Sequence, residues 1–320
     1  MTDQLPVIDL GGLAEGDETA LRRIAREIGE ACRGVGFFYV VNHGIAAIPA
    51  AFEQSARFFA LPLARKRALA IETVGGNRGY SGLLREALDP AHGADMKEAF
   101  NIGFDLAPDD AELVAGAPFR SLNAWPDLPD FRTVLLGYFD DCAALGLRLH
   151  RAFARDLGLP EAFFEDKFDR PMATLRLLHY PANPAEAPDR IGAGEHTDYG
   201  NLTLLATENV GGLEVRTRSG AWIAAPATPG AFVVNIGDCL MRWTNNVYVS
   251  TPHRVVNRSG RERNSIAFFF DPNPDALVAA IPSCAPTGES PRYPPILAGD
   301  YLKMRLEASK PVAIDPTGPL

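Results

Sequence analysis

A chain of 320 residues, 47% of them hydrophobic, carries enough apolar side chain for the packed core of one large domain or two small ones, which excludes disorder and a collagen-like fibre. Forty acidic residues against 31 basic ones leave a formal net charge of −9, and an acidic surface repels phosphate backbones, so no nucleic-acid partner is expected. Cys32, Cys142, Cys239 and Cys284 lie far apart with no CxxC pair, the pattern of buried thiols in a reducing compartment rather than of a disulfide or zinc scaffold.

The first ten residues have no basic region leading into a long apolar run, so no signal peptide is expected, and no apolar run approaches membrane-spanning length. The expected protein is cytoplasmic, without a membrane partner, and a monomer by default. Residues 6–10 read as a short strand. Leu21, Ile24, Ala25, Ile28, Ala31 and Cys32 then follow at helical spacing until Gly34 and Gly36 stop the helix. A strand, Phe37 to Val41, comes next. A second amphipathic helix carries Ile48, Phe52, Ser55 and Phe59 on one side. A longer one after Pro129 and Asp130 carries Val134, Tyr138, Leu145, Leu149 and Phe153, and Gly158 ends it.

From Ala173 onward the period changes. Short apolar or alternating runs recur at 174–180, 193–198, 201–207, 212–216, 221–225, 231–236, 252–257 and 264–270, with Gly, Pro and Asn between them. Eight strands so spaced predict a double-sheet jelly roll or barrel. No helical run long enough for a βαβ crossover separates them, which disfavours a Rossmann sheet. A Pro-rich linker, 282–295, leads to a final helix over roughly 299–309.

Within the strand region stands Glu195-His196-Thr197-Asp198. In an extended chain His196 and Asp198 project to the same face, so one strand end can offer two metal ligands. His253, in Ser250-Thr251-Pro252-His253-Arg254-Val255, is far enough along the chain to return beside them. Two imidazoles and one carboxylate on one side of an octahedral ion leave three open positions, the arrangement suited to non-haem Fe(II) activating oxygen. Further on, Arg263 and Ser265 share a strand face, and a guanidinium fork with a hydroxyl is what a buried carboxylate at a fixed distance from the metal requires. A lone His-x-Asp arises by chance; joined to a distant His and an Arg-x-Ser it is specific.

These residues make the chain resemble the Fe(II)/2-oxoglutarate-dependent dioxygenases, in their isopenicillin N synthase-like branch. The resemblance runs through Pro6-Val7-Ile8-Asp9-Leu10, residues 36–44, Asp95-Met96-Lys97-Glu98, residues 194–205, Gly211-Gly212-Leu213, Asn235-Ile236-Gly237-Asp238 and residues 250–255. It implies a mainly β fold with flanking helices (α+β), built on a double-stranded β-helix, or jelly-roll, core. The expected organisation is a single domain over 1–320, with a mixed helical region (1–172), a jelly-roll catalytic core (173–271) and a C-terminal linker and helix (272–320).

The same resemblance assigns His196, Asp198 and His253 to iron, Arg263 and Ser265 to the far carboxylate of 2-oxoglutarate, and Tyr180 to a cosubstrate contact. Where family members often have Asn-Tyr-Tyr-Pro, this chain has Leu178-His179-Tyr180-Pro181, so an apolar Leu178 replaces an amide, and one hydrogen bond to the cosubstrate is either lost or supplied by another group. The implied activity couples oxidative decarboxylation of 2-oxoglutarate by molecular oxygen to hydroxylation, desaturation or ring closure of a small molecule. Two alternatives stand beside it: an iron oxidase of the same fold that does without 2-oxoglutarate, of the ring-closing or ethylene-forming type, and a non-catalytic metal or 2-oxoglutarate sensor. A pure binder has no need of three open coordination positions.

For the substrate, Asn77-Arg78-Gly79-Tyr80 and Phe100-Asn101-Ile102-Gly103 resemble segments that border it in the family, which nominates Arg78, Tyr80 and Asn101. Alternation puts Arg176 on the face of Tyr180, hence inward. A buried arginine needs an anion, either a protein carboxylate or an acidic group of the substrate, and Arg78 and Arg176 tilt the expectation toward an anionic substrate. Alternation likewise makes Phe269 a candidate pocket wall. His43 reads as structural, His92 and His150 as bystanders, and residues 83–93 as a solvated loop.

Overall fold

In the computed structural model, which describes residues 4–13, 17–89, 93–183, 187, 190–285 and 288–308, the apolar strands of the second half form two facing sheets. The strands are β1 (Val7–Asp9), β2 (Phe37–Val41), β3 (Gly79–Ser81), β4 (Glu98–Gly103), β5 (Thr174–Tyr180), β6 (Ile191–His196), β7 (Leu202–Thr207), β8 (Leu213–Arg216), β9 (Trp222–Ala224), β10 (Phe232–Ile236), β11 (His253–Val256) and β12 (Arg263–Phe270). The major sheet runs β1-β2-β10-β7-β12-β5-β4-β3 and the minor sheet β6-β11-β8-β9. Residues before 173 therefore extend both edges of the major sheet, β2 pairing with β10 and β4 with β5. A further two-residue ribbon pairs Leu277–Val278 with Ile296–Leu297.

The helices are α1 (Glu18–Gly34), α2 (Ile48–Phe59), α3 (Leu63–Arg67), α4 (Ile71–Val74), α5 (Ala111–Val114), α6 (Phe131–Asp156), α7 (Asp238–Trp243) and α8 (Ala298–Ala308). Asp17 caps α1, its carboxylate accepting the Thr19 and Ala20 N–H groups. Helices α1, α2 and α6 cover the outer face of the major sheet.

Both faces of that sheet are buried, which is why strands such as Phe37-Phe38-Tyr39-Val40-Val41 read as continuous apolar runs. The outward side chains Phe38, Val40, Phe100, Leu175, Leu177, Leu204, Ile266, Phe268 and Phe270 pack under the helices with Tyr138, Leu145 and Leu149. The inward side chains Phe37, Tyr39, Ala99, Leu178, Tyr180, Val233 and Ala267 meet Val215 and Val255 of the minor sheet. Period-two alternation thus divides the strand residues between a helix-packed core and the interior of the sandwich.

All eight expected strands form, and so do the three long helices and the final one. Three details differ. The 193–198 strand leaves the minor sheet at His196, so Asp198 lies in the following turn, where its carbonyl accepts the Asp238 N–H at 2.8 Å; the turn, not strand alternation, sets its side chain. Helix α2 buries Ala51, Gln54, Ser55, Phe58 and Phe59, leaving Ile48 and Phe52 half-buried, because its small residues let the helix approach the sheet and Phe58 meet Phe100. Strands β3 and β4 were not expected from the pattern.

Gly146 fixes the approach of α6. A Cβ there would stand 2.5 Å from Cδ1 of the Phe270 ring. Gly146→Ala is expected to push the helix off the sheet and lower the unfolding free energy by about 1–3 kcal/mol, measured by denaturant titration; an unchanged midpoint would refute this packing.

Candidate active site

The end of β6 and the start of β11 are opposed rungs of the minor sheet. His253 pairs with His196, and their rings lie 4.3 Å apart. Asp198, two residues past His196, brings Oδ1 to 3.8 Å from His196 Nε2 and 3.7 Å from His253 Nε2. The three potential ligand atoms fall within 4.8 Å of one another.

Each side chain is held by its other polar atom. His196 Nδ1 lies 2.7 Å from the Gly194 carbonyl and His253 Nδ1 3.2 Å from the Thr251 carbonyl, so both rings donate from Nδ1 and turn a free Nε2 toward the centre. Asp198 Oδ2 accepts from Asn235 Nδ2 at 2.7 Å and Thr203 Oγ1 at 2.5 Å, leaving Oδ1 to face the imidazoles. Burial, with the His253 imidazole beside it, pushes the His196 imidazole well below its ordinary value. Against the cost of burial, His253, His196, Asn235 and Thr203 hold the Asp198 carboxyl low. Neutral imidazole nitrogens and one carboxylate oxygen, with their outer atoms satisfied, form a donor set that fits a divalent first-row metal such as iron.

On β12, Arg263 is 1% exposed and stands opposite Tyr180. Its Nη1 donates to Ser265 Oγ at 3.0 Å, its Nε donates to the Gly211 carbonyl at 3.1 Å, and its guanidinium lies over the Tyr180 ring at 4.8 Å. Among the described residues no carboxylate lies within ion-pair distance of it. Leu178 stands directly opposite Ser265 on the interior face, so the apolar substitution falls inside the same pocket.

The substrate candidates separate. Asn101, Arg176 and Phe269 face the interior, Asn101 opposite Arg176 and Phe269 opposite Thr203. Tyr80 does not. Its ring packs in the helix-covered core and its hydroxyl donates to Glu98 Oε2 at 2.6 Å, beside Lys66 Nζ at 2.7 Å and His179 Nδ1 at 2.8 Å from the same carboxylate. The one-residue step from Gly79 turns Tyr80 to the other face of the sheet. Arg176 takes a protein carboxylate, Glu86, as its anion.

Several supporting residues carry no signal of their role in sequence. Glu86 Oε2 lies 3.4 Å from Lys97 Nζ, which is 2.5 Å from Asp95 Oδ2, and Asp95 Oδ1 accepts the Gly194 N–H at 2.9 Å. This chain of charges ends on Gly194, the residue whose carbonyl orients His196. Asp95, Lys97, Asn235 and Asp238 all lie in segments that resemble the family, but nothing local says what they touch. From α8, Arg305 pairs with Asp238, whose carboxylate also accepts from Thr197 Oγ1 at 3.0 Å. His150 is fully buried and its Nε2 meets Asn201 Nδ2 at 2.6 Å, so it supports the turn after Asp198 rather than standing apart. His43 hydrogen-bonds only backbone, at Gly230 and Ile45. His92 lies outside the described residues.

Comparison with known proteins agrees with this geometry. Residues 5–128 match a family model described as the non-haem dioxygenase in morphine synthesis N-terminal region, and residues 171–272 match that of the 2OG-Fe(II) oxygenase superfamily. A 2-oxoglutarate-Fe(II) type oxidoreductase of Emericella nidulans is 35% identical over 93% of this chain and 88% of its own length. A homoarginine-6-hydroxylase of Oryza sativa subsp. japonica is 35% identical, covering 94% of this chain and 96% of its own. The crystal structure of a full-length Neurospora crassa protein in complex with alpha-KG and thymine superposes with a TM-score of 0.86 at 36% identity, over 96% of this chain and 97% of that one.

Asn235→Ala removes the amide that fixes Asp198 Oδ2. Anaerobic Fe(II) titration should find affinity reduced about 10–100-fold with the fold retained. Unchanged affinity would show that Thr203 alone orients the carboxylate.

Proposed function

Because this chain belongs to the Fe(II)/2-oxoglutarate-dependent oxygenases, we propose that His196, Asp198 and His253 hold the iron and that Arg263, Ser265 and Tyr180 hold the far carboxylate of 2-oxoglutarate, with Phe269, Asn101, Arg176 and Arg78 facing the substrate. The enzyme is an oxidoreductase that couples oxidative decarboxylation of 2-oxoglutarate to oxidation of a small molecule. Iron, 2-oxoglutarate and molecular oxygen supply the oxidising power when bound, giving succinate, carbon dioxide and a hydroxylated, desaturated or ring-closed product.

The protein's part is to hold, orient and exclude water. His196 and His253 present Nε2 because their Nδ1 atoms are engaged, and Asp198 presents Oδ1 for the same reason. His196, Asp198 and His253 would hold the iron through these three atoms and would leave room on it for cosubstrate and oxygen. Phe37 lies edge-on to His253 at 5.1 Å, and the apolar interior around it keeps bulk water from the ligand side.

The observation that carries the cosubstrate assignment is Arg263, a buried guanidinium whose protein contacts are a hydroxyl, a carbonyl and a ring face; Glu208 acts on it only at longer range, and among the described residues no carboxylate forms an ion pair with it. This disfavours an oxidase that dispenses with 2-oxoglutarate, as do the relatives' names. The relatives' substrates differ widely, homoarginine in one name and thymine bound in one crystal structure, so specificity rests on the residues around the interior face. Four free, buried cysteines support a reducing, cytoplasmic setting, and among the described residues no helix is long and apolar enough to cross a membrane.

Anaerobic titration with Fe(II) and then 2-oxoglutarate tests the reading through the visible charge-transfer band of the chelated complex. His196→Ala is expected to abolish the band. Arg263→Ala should raise the 2-oxoglutarate Kd by about 100-fold or more while Fe(II) binding stays intact. Iron binding without a band in the wild type would overturn the cosubstrate assignment.

A further inference from the structure

Three buried polar atoms without a hydrogen-bond partner cluster where β3, β4 and β5 meet the interior: Arg78 Nε, Asn101 Oδ1 and Arg176 Nε. Asn101 and Arg176 are cross-strand neighbours, and Gly79, next to Arg78, pairs with Asn101 on its other side. Buried polar groups in native proteins are nearly always satisfied, so three orphans on one patch need an explanation.

Arg78 is the sharpest of them. It is 5% exposed, and its guanidinium occupies the space a side chain at Gly103 would fill, with Cζ 1.9 Å from an ideal Cβ there. Gly103 stands opposite Thr174 on the interior-facing side, so the guanidinium substitutes for an inward side chain. Its protein contacts are weak, Nη1 to the Gly76 and Asn77 carbonyls at 3.3 and 3.4 Å. Among the described residues no carboxylate lies within ion-pair distance, and the nearby charge is another cation, Arg120, itself matched by Glu112 at 2.5 Å. Burial and Arg120 lower the Arg78 pKa to about 10, so it is still a cation at neutral pH.

The neighbouring charges cancel. Arg176 and Lys97 are balanced by Glu86 and Asp95, so among the described residues of this patch Arg78 is the cation without an anion. Asn101 Nδ2 is engaged by Asn77 Oδ1 at 3.0 Å, which leaves Oδ1 as a free acceptor.

We infer that the substrate is a small organic acid whose carboxylate pairs with Arg78 and whose adjacent N–H or O–H donates to Asn101 Oδ1. The inference rests on the reading of this interior face as the substrate side. Gly103 lies three strand spacings, about 14 Å, from Thr203, which holds the Asp198 carboxylate. The acidic group is thus anchored away from the metal ligands, and the carbon that is oxidised is remote from it.

Hippurate serves as probe, since it carries a carboxylate, a neighbouring amide N–H and a ring that can meet Phe269. Its neutral counterpart is hippuramide. Protein loaded anaerobically with Fe(II) and 2-oxoglutarate is titrated with each, following the charge-transfer band and the thermal-unfolding midpoint, alongside Arg78→Gln and Arg78→Lys. Hippurate is expected to perturb the band and raise the midpoint, hippuramide to do neither, Arg78→Gln to weaken the hippurate response at least about tenfold and Arg78→Lys to keep part of it. Without ligand, Arg78→Gln should melt at or above the wild-type temperature, because a desolvated charge has been removed. Equal responses to acid and amide, no response to either, a hippurate response intact in Arg78→Gln, or a lower ligand-free melting point in that variant would overturn the inference. A band that never forms would instead strike the metal and cosubstrate assignments, and the melting readout would still decide the role of Arg78.

Discussion

The rung that sets His196 opposite His253 governs the rest of the site. It forms only if β6 and β11 pair so that the two residues face each other, and the carbonyls of Gly194 and Thr251 then take the Nδ1 protons and orient the two rings. Slippage by one residue would turn one imidazole out of the sandwich. Asp198 completes the set from outside the ladder. It depends on the major sheet, because Thr203 on β7 and Asn235 on β10 fix its carboxylate. Asp198 is thus one of the side chains that tie the two sheets together, and the geometry of the three candidate ligands reports how the sheets face each other.

A second constraint is the handling of charge within the sandwich. Arg176, Glu86, Lys97 and Asp95 form a neutral cluster that ends at the Gly194 peptide, so cations can line the interior without leaving it positively charged. On the helix-covered side, Glu98 gathers Lys66, Tyr80 and His179, and those contacts hold its carboxyl down to about 2 despite burial. Against this background the two arginines without an anion among the described residues, Arg263 and Arg78, stand at separate places on the interior face. Each charge has been desolvated without an ion pair from the protein, a cost that the anionic ligands proposed for the two places would offset.

Much of this was legible in the chain before folding. Alternation along 174–180 and 264–270 placed Arg176, Tyr180, Arg263, Ser265 and Phe269 on one face, and the sheet puts them there. The same rule applied to 193–198 gave the right neighbours for the wrong reason, since Asp198 lies in a turn. Tyr80 was grouped with Arg78 by its place in a motif, yet Arg78 lies before β3, so strand alternation does not carry it to the face that Tyr80 takes. The network of Asp95, Lys97 and Glu86 was out of reach, because its members meet residues nearly a hundred positions away.

By itself the sequence determined the order of the long helices and of the eight strands after residue 173, the identity of the His-Asp-His and Arg-x-Ser groups, and the family, because hydrophobic period and residue type are local properties. Only the tertiary structure decided which polar groups were satisfied. Whether Arg176 lacks an anion depends on where Glu86, 90 positions away, folds back, and pairing across long chain separations is set by the packing of sheets and loops rather than by any local pattern.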